Sequence, residues 1–174
     1  MDHIKPGDAL LSRLNAPLVK LCFAMIKNGI PANIEGRDVA ERLKNLIKMS
    51  KANSINDLLD WVYKWRDTEV ERRQKANKST TLVEDNAECL EILCEGKYSV
   101  ADVVFAIDNM FPKNMPEKIV TCSSTHKSKG KEWKRVFVLE STYMLKKGNQ
   151  KEEANLVYVA RTRAINSLFR VKGK

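Results

Sequence analysis

Residues 119–140 read IVTCSSTHKSKGKEWKRVFVLE and set out the pattern that decides the fold. Two β-forming runs, 119–122 and 136–140, enclose a polar loop that contains a glycine. Further along, residues 152–165 have helical periodicity and residues 167–171 are strand-like again. Strands that alternate with helices predict a layered α/β structure.

The front of the chain shows the same alternation. A short apolar run at residues 8–12 predicts a strand, and the apolar residues that follow are spaced as in a helix: Leu18, Leu21, Cys22, Met25 and Ile26. Gly29 predicts the end of that helix, and residues 30–34 predict another strand. We therefore predict a βαβ unit, for which parallel pairing is the default.

The middle of the chain, residues 37–96, is charged and helical in pattern. One apolar face contains Val39, Leu43, Leu46 and Ile47, and a second contains Leu58, Leu59, Val62 and Trp65. Ser54 or Asn53 is the predicted N-cap of a helix here, and Ser99 of a later one. Residues 66–78 mix both signs of charge, which predicts an exposed helix followed by a polar loop at 77–81. We predict that this region is a helical insertion.

Composition limits the domain count and the partners. A chain of 174 residues with 43% hydrophobic content can form one compact core with an appendage. The formal charge of +9, from 31 Lys and Arg against 22 Asp and Glu, favours polyanionic partners such as nucleic acid. A solvated basic surface with no such partner explains the charge equally well.

Cysteine spacing and hydropathy indicate the compartment. Cys22, Cys89, Cys94 and Cys122 are not spaced as a zinc knuckle or a redox pair, so we expect buried free thiols and no metal site. Apolar runs fall short of the roughly 20 residues of a membrane span. The first residues lack a signal-peptide core. We expect a cytoplasmic protein.

Two polar blocks carry the chemistry, residues 124–133 and 152–164. A loop with hydroxyls, a glycine and lysines beside a helix that carries arginine suits phosphoryl transfer, in which the protein positions phosphates and neutralises their charge. Each feature alone has a plain structural explanation: His126 as a capping or packing residue, Gly130 as a positive-φ residue, Arg163 as a surface side chain.

Taken together, the blocks resemble two signatures of UvrD/PcrA/Rep-type superfamily 1 DNA helicases. Residues 124–133 resemble T-x-H-x-x-K-G-x-E-[FW], and residues 152–164 resemble E-E-x-x-L-x-Y-V-A-x-T-R-A. Residues 12–19 and 29–32 more weakly resemble the start of the second motor domain of these enzymes. The resemblance implies a RecA-like domain, with a mainly parallel sheet flanked by helices. Its first part would be residues 1–36 and its remainder 97–174, with a small helical insertion at 37–96, the accessory-subdomain position.

The resemblance also assigns the site residues. Arg163 occupies the place of the catalytic arginine that reaches the γ-phosphate of ATP as an arginine finger. Lys129, Gly130 and Glu132 would lie beside the nucleotide, with Glu132 near the ribose. The resemblance places Ser124 and His126 at the backbone of single-stranded DNA or between it and the nucleotide site. Arg13 and Asn15 match the opening loop and would touch DNA, and a plain turn explains these two residues equally well.

Three further residues have a less specific assignment. Tyr158 matches the tyrosine of the second signature, and packing in the core is an equally simple explanation for it. Glu153 would brace its helix or the arginine. Trp133 is expected to seat the loop on the sheet, and Trp61 and Trp65, four residues apart, to pack against the body of the domain.

The chain departs from the family in what it lacks. Ser124 replaces a threonine but keeps the hydroxyl, and Lys131 replaces a leucine and would add a charge beside the phosphates. The sequence has no Gly-x-x-x-x-Gly-Lys-Ser/Thr and no acidic pair after an apolar strand to hold Mg²⁺. We therefore expect no ATPase activity from this chain alone. ATP with Mg²⁺ would be bound jointly with an N-terminal P-loop domain, in cis or on a partner chain.

Two functions from different classes fit these observations. The first is the C-terminal motor domain of an ATP-dependent DNA helicase, which supplies the arginine finger and part of a single-stranded DNA track. The second is a degenerate motor remnant that serves as a nucleic-acid or protein-binding module, and the missing P-loop motivates it.

Overall fold

The computed structural model describes residues 4–143 and 150–172. Its five strands are β1 (Ala9–Ser12), β2 (Ala32–Glu35), β3 (Val120–Ser124), β4 (Trp133–Leu139) and β5 (Ala164–Val171). Its six helices are α1 (Ala16–Lys27), α2 (Arg37–Ser50), α3 (Ile55–Lys75), α4 (Thr81–Cys94), α5 (Val100–Met110) and α6 (Gln150–Arg161). A single 3₁₀ turn, Glu140–Thr142, follows β4.

The strands form one parallel sheet in the order β2-β3-β1-β4-β5. This confirms the α/β prediction and is consistent with a RecA-like fold. The first two strands are parallel, as predicted, but they do not pair with each other. β3 lies between them, with Ser12 opposite Ser124 and Glu35 opposite Ser123. The local pattern around β1 and β2 contains no information about β3, which begins 85 positions after the end of β2, so sequence reasoning missed that β3 lies between them.

The two faces of the sheet are covered by different helices. Ala9, Leu11, Val136 and Val138 pack with Ala160, and Leu156 and Val157 of α6 lie against this cluster. Cys122 belongs to the opposite face, because side chains alternate along a strand, and it forms a hydrogen bond with Cys22 of α1. The connections that leave the neighbouring strands β1 and β4 therefore run to opposite faces. The carboxyl ends of these two strands form a topological switch point, where α/β sheets bind their ligands.

The end of the chain differs from its predicted bounds. The helix predicted to run to residue 165 ends at Arg161, because Ala164 already pairs with Trp133 at the start of β4. Both β4 and β5 are therefore longer than the apolar pattern indicated. The two strands include polar residues such as Lys134 and Asn166 that do not stand out as strand residues in the sequence.

A second compact unit consists of residues 37–111, whereas residues 1–36 and 112–174 group together. Helix α5 falls in the second unit, beyond the predicted boundary at residue 96, because it packs on α2 and α4. The predicted caps are confirmed. The Ser54 hydroxyl accepts from the Asp57 main-chain N–H at 3.1 Å, and the Ser99 hydroxyl accepts from that of Asp102 at 3.2 Å. Both serines complete a reciprocal capping box.

The surface and core of this unit follow the predicted pattern. Leu43, Leu58 and Val62 are fully buried. The last turns of α3 are exposed, and Glu69 there pairs with Arg72 and Arg73. Trp61 and Trp65 are half-buried and stack on each other with ring centroids 6.0 Å apart.

The four cysteines are free and buried, as predicted. Burial raises the pKa of Cys89, and it raises that of Cys94 to about 11, so both thiols are neutral near pH 7. Over residues 4–143 and 150–172, no helix is both long and apolar enough to span a membrane.

Candidate functional site

The residues predicted to contact DNA lie at the carboxyl ends of β1 and β3. Ser124 ends β3 opposite Ser12, and the main-chain N–H of Thr125 donates to the Ser12 carbonyl at 2.9 Å. Arg13 follows Ser12 directly, and Asn15 is the N-cap residue of α1. His126 is exposed in the turn after β3. The register of two neighbouring strands thus brings these four positions to one end of the sheet.

Buried hydroxyls fix the loop that leaves β3. The Thr125 hydroxyl donates to the Ser12 carbonyl at 3.2 Å and also forms a hydrogen bond with the Tyr143 hydroxyl. Ser128 donates to the Thr125 carbonyl at 2.8 Å. Desolvation raises the pKa of Tyr143 to about 12. Sequence reasoning missed these three residues; the T-x-x-S spacing inside the first signature was the available signal.

Arg13 is held at two points. Its Nε donates to Oε1 of Glu153 at 2.8 Å, and its main-chain N–H donates to the Thr142 hydroxyl at 3.0 Å. Thr142 in turn donates to the Leu139 carbonyl at 2.7 Å, so it belongs firmly to the turn after β4. Glu153, expected to brace its helix or the arginine, is the ion-pair partner of Arg13 rather than of Arg163.

Arg163 lies between α6 and β5 and touches the loop of the first signature. Its Nε donates to the Val159 carbonyl at 3.0 Å, its Nη1 to the Lys131 carbonyl at 3.2 Å, and its Nη2 to the Thr162 hydroxyl at 3.1 Å. Every one of these acceptors is neutral. In the part of the chain that the structure describes, no carboxylate pairs with Arg163, so its positive charge is available to an anion.

Three other predicted nucleotide residues surround this loop end. Gly130 has φ +82°, and a Cβ added there would meet no atom within 4 Å. The backbone conformation therefore favours glycine at this position, and the space beside it is open. Lys129 and Glu132 are exposed. The loop thus offers a cation, an anion and an open backbone within two positions of Lys131, whose carbonyl contacts Arg163.

Lys131 ties the loop to the end of β2. Its ammonium pairs with Glu35 at the end of β2, and the other oxygen of Glu35 accepts from the Ser123 hydroxyl at 3.1 Å. The sequence led us to expect an extra charge beside the phosphates. The structure corrects this, because Glu35 compensates the charge of Lys131.

Two aromatic residues of the signatures have different environments. Trp133 packs against the sheet core, as predicted for a residue that seats the loop. Tyr158 is 70% exposed, so the core-packing explanation for it is wrong. Leu156, Val157 and Ala160 occupy the inward side of α6, and Tyr158 is left on the outer side.

An acidic residue joins the end of α6 to β5. Glu140 pairs with Arg170 at 2.7 Å and with Arg161 at 2.5 Å. The hydrogen bonds from Arg170 and then Arg161 lower the pKa of Glu140 to about 2. Arg161 is thus committed to an internal ion pair, whereas Arg163, two residues later, is not.

Positive charge is concentrated in one of the two units. Residues 1–36 and 112–174 contain 19 Lys and Arg against 8 Asp and Glu, a formal charge of +11, whereas residues 37–111 contain 12 against 14, a charge of −2. The two values sum to the +9 of the whole chain. The unit that contains the predicted site therefore carries all of the excess positive charge.

The parallel sheet, the polar residues at the carboxyl ends of β1 and β3 and the arginine beside a glycine loop define an α/β domain with hydrogen-bonding groups gathered at one end of its sheet. Residues 120–169 match the UvrD-like helicase C-terminal domain family. This match includes both signatures and extends from β3 almost to the end of β5. It supports a relationship with UvrD-type helicases over this part of the chain and indicates a helicase motor domain. No curated protein matches the chain.

Proposed function

We propose that the chain is the second RecA-like motor domain of an ATP-dependent DNA helicase. One observation carries this proposal: Arg163 lies against the loop of the other signature, held only by neutral oxygens. That is the arrangement expected of an arginine finger, which must be positioned by its own domain and still be free to meet the γ-phosphate.

The residues present suit one side of an ATP site. Lys129 and Arg163 supply cationic donors, and Glu132 is a hydrogen-bond acceptor for a ribose hydroxyl. Bound ATP supplies the free energy of phosphoryl transfer. Among residues 4–143 and 150–172 no cluster of three or more metal ligands occurs, and we assign the Mg²⁺ ligands to the P-loop domain. That domain comes from the same polypeptide or from a partner chain.

The other group of residues suits a single-stranded DNA backbone. Arg13, Ser124, Asn15 and His126 are hydrogen-bonding side chains at one end of the sheet, within the unit of charge +11. Contacts to phosphates make affinity depend strongly on salt and weakly on base sequence. We place this activity in the cytoplasm, a reducing compartment in which the four thiols stay free.

In this proposal, closure of the two motor domains brings Arg163 to the nucleotide and moves the DNA-binding end of the sheet relative to the partner domain. Arg163 neutralises charge on the γ-phosphate, and Arg13 and its neighbours hold the strand. The Lys131 carbonyl accepts from Arg163, and its ammonium pairs with Glu35, which bonds to Ser123 next to Ser124; we infer that this chain of contacts links the two groups within the domain.

The experiment is ATP hydrolysis with and without single-stranded DNA, for this chain alone and for the product of its complete gene. We expect activity in a form that contains a P-loop domain, stimulated by DNA and lost in Arg163→Ala while nucleotide binding is retained. ATPase activity of this chain alone would contradict the proposal.

The charge of +11 on residues 1–36 and 112–174 also suits a second candidate, a motor remnant that binds nucleic acid or protein without hydrolysing ATP. It predicts DNA binding that is unaffected by ATP and by Arg163→Ala, with no ATPase activity from any product of the gene. Stimulation of ATPase by DNA in the longer product would exclude it.

A further inference from the structure

The ion pair between Arg13 and Glu153 is only half formed. Nε donates to Oε1, but Oε2 of Glu153 is buried and accepts no hydrogen bond in the described structure. Arginine and a carboxylate commonly pair through two parallel hydrogen bonds. Here one bond is made, and neither terminal nitrogen of Arg13 has a hydrogen bond to any of residues 4–143 or 150–172.

This geometry aims the guanidinium rather than neutralising it fully. The Arg13 side chain is 21% exposed and that of Glu153 11%, so the hydrogen bond is shielded while the arginine still reaches the surface. The main chain of Arg13 is fixed by Thr142 from the turn after β4. With its backbone and Nε both held, the end of the side chain that bears the two Nη groups has little freedom to turn.

The location is the switch point of the sheet. Arg13 lies in the connection that runs from β1 to one face of the sheet. Thr142 and Glu153 belong to the connection that runs from β4 to the other face. Ligands of α/β sheets bind in the crevice between such connections. Glu153, the partner of Arg13, is in the first turn of α6, and Arg163 follows the last turn. The two arginines are therefore connected by one helix about 18 Å long.

We propose that Glu153 is a positioning residue for DNA: it holds Arg13 by Nε and so presents the two terminal nitrogens of Arg13 to a phosphate of single-stranded DNA. This inference rests on the proposed function. In this inference Glu153 strengthens DNA binding, although the negative charge of its carboxylate alone would repel the strand.

The two effects of Glu153 predict opposite changes in DNA affinity, and the test distinguishes them. Removing an acid near DNA strengthens binding if charge alone acts, whereas Glu153→Ala weakens it if Glu153 positions Arg13. Binding of a dT oligonucleotide by this chain is measured by fluorescence anisotropy at several salt concentrations. We expect Glu153→Ala to weaken binding by about 3- to 10-fold, and Glu153→Gln, which keeps an oxygen acceptor for Nε, to bind within about 2-fold of wild type.

Two further variants separate positioning from general damage. Glu152→Ala removes the same charge from the neighbouring, exposed position, and we expect unchanged or slightly tighter binding. Arg13→Ala should reduce the salt slope by about 0.7, and Glu153→Ala should then cause no further loss in the double mutant. Thermal unfolding of each variant identifies any that is not folded.

The outcomes are distinct. If wild type does not bind dT at any salt concentration, the proposed function fails. The positioning role is overturned if wild type binds but Glu153→Ala and Glu153→Gln both bind more tightly. It is also overturned if the losses of affinity in Arg13→Ala and Glu153→Ala add in the double mutant. In both cases the proposed function stands.

Discussion

The Lys131 carbonyl oxygen accepts a hydrogen bond of 3.2 Å from Nη1 of Arg163, which joins the loop of one signature to the helix end of the other. The Arg163 carbonyl also accepts from the Trp133 main-chain N–H at 2.9 Å, where β4 begins. Through these two contacts, a shift of the loop 125–132 is transmitted to Arg163. The position of Arg163 therefore depends on the loop as well as on its own helix.

Replacing Arg163 by alanine should abolish catalysis and preserve the fold. Its side chain bonds only to neutral oxygens near the surface, so we expect the free energy of unfolding to change by less than about 1 kcal/mol. In a form that contains the P-loop domain, we expect the kcat for ATP to fall by about 10³-fold, as for other arginine fingers. Arg161→Ala is the matched control, since Arg161 is occupied by Glu140. Equal losses in both variants would argue against a specific role.

Acid stability should depend on Glu140. Its pKa is lowered to about 2 by Arg170 and Arg161, so in the folded state it stays charged after an unfolded carboxyl has bound a proton. Its contribution is present above about pH 4.5 and is lost as the pH falls towards 2. Both arginines are partly exposed, and with screening we expect Glu140→Gln to cost about 1 kcal/mol at pH 7.

The measurement is urea unfolding of wild type and Glu140→Gln from pH 7 to pH 2. The two curves of stability against pH should converge at the acid end. Glu132→Gln, at an exposed carboxylate, serves as the control and should parallel wild type throughout. A constant difference between wild type and Glu140→Gln across the whole range would refute the assignment.

Tyr143→Phe should destabilise the protein although it removes only one hydroxyl. The Tyr143 side chain is 2% exposed, and its hydroxyl partner Thr125 is fully buried. Without the Tyr143 hydroxyl, the Thr125 hydroxyl keeps only its bond to the Ser12 carbonyl. We expect the free energy of chemical unfolding to fall by about 1–2 kcal/mol. Tyr98→Phe, at a side chain that is 97% exposed, should have no measurable effect. Equal stabilities of the two variants would show that the bond between Tyr143 and Thr125 contributes nothing.

Gly130→Ala should lower the free energy of unfolding through backbone strain alone. The φ of +82° disfavours any residue with a Cβ, but the space around it is open. We expect a loss of about 1 kcal/mol and a smaller loss for Gly130→Asn, because asparagine tolerates positive φ better. Lys129→Ala, one position earlier, provides the control in thermal unfolding. If Gly130→Asn lost as much as Gly130→Ala, steric conflict rather than φ would be responsible.

The features that the sequence predicted well are those that local chemistry determines. Ser54 and Ser99 each precede an acidic residue by three positions, which is enough to specify a capping box. The buried face of α2 also followed from periodicity, and parallel pairing followed from the alternation of strands with helices. The order of the strands did not, because β3 reaches its place between β2 and β1 only through pairing across distant parts of the chain.

The same distinction holds within the candidate site. Motif spacing pointed to Arg163 and the loop before Trp133, and the structure brings them into contact. It did not reveal that Glu153 pairs with Arg13, or that Glu35 compensates Lys131, because these partners are separated by 140 and 96 positions in the chain. The exposure of Tyr158 was not predicted either, because residues 156–160 are all apolar or aromatic, so the spacing did not assign Tyr158 to the inner or the outer side of the helix.

The excess positive charge of +11 on residues 1–36 and 112–174 acts on a polyanion before any contact is made. Attraction over that distance raises the rate at which a nucleic acid and this unit meet. Added salt should therefore slow association more than it speeds dissociation.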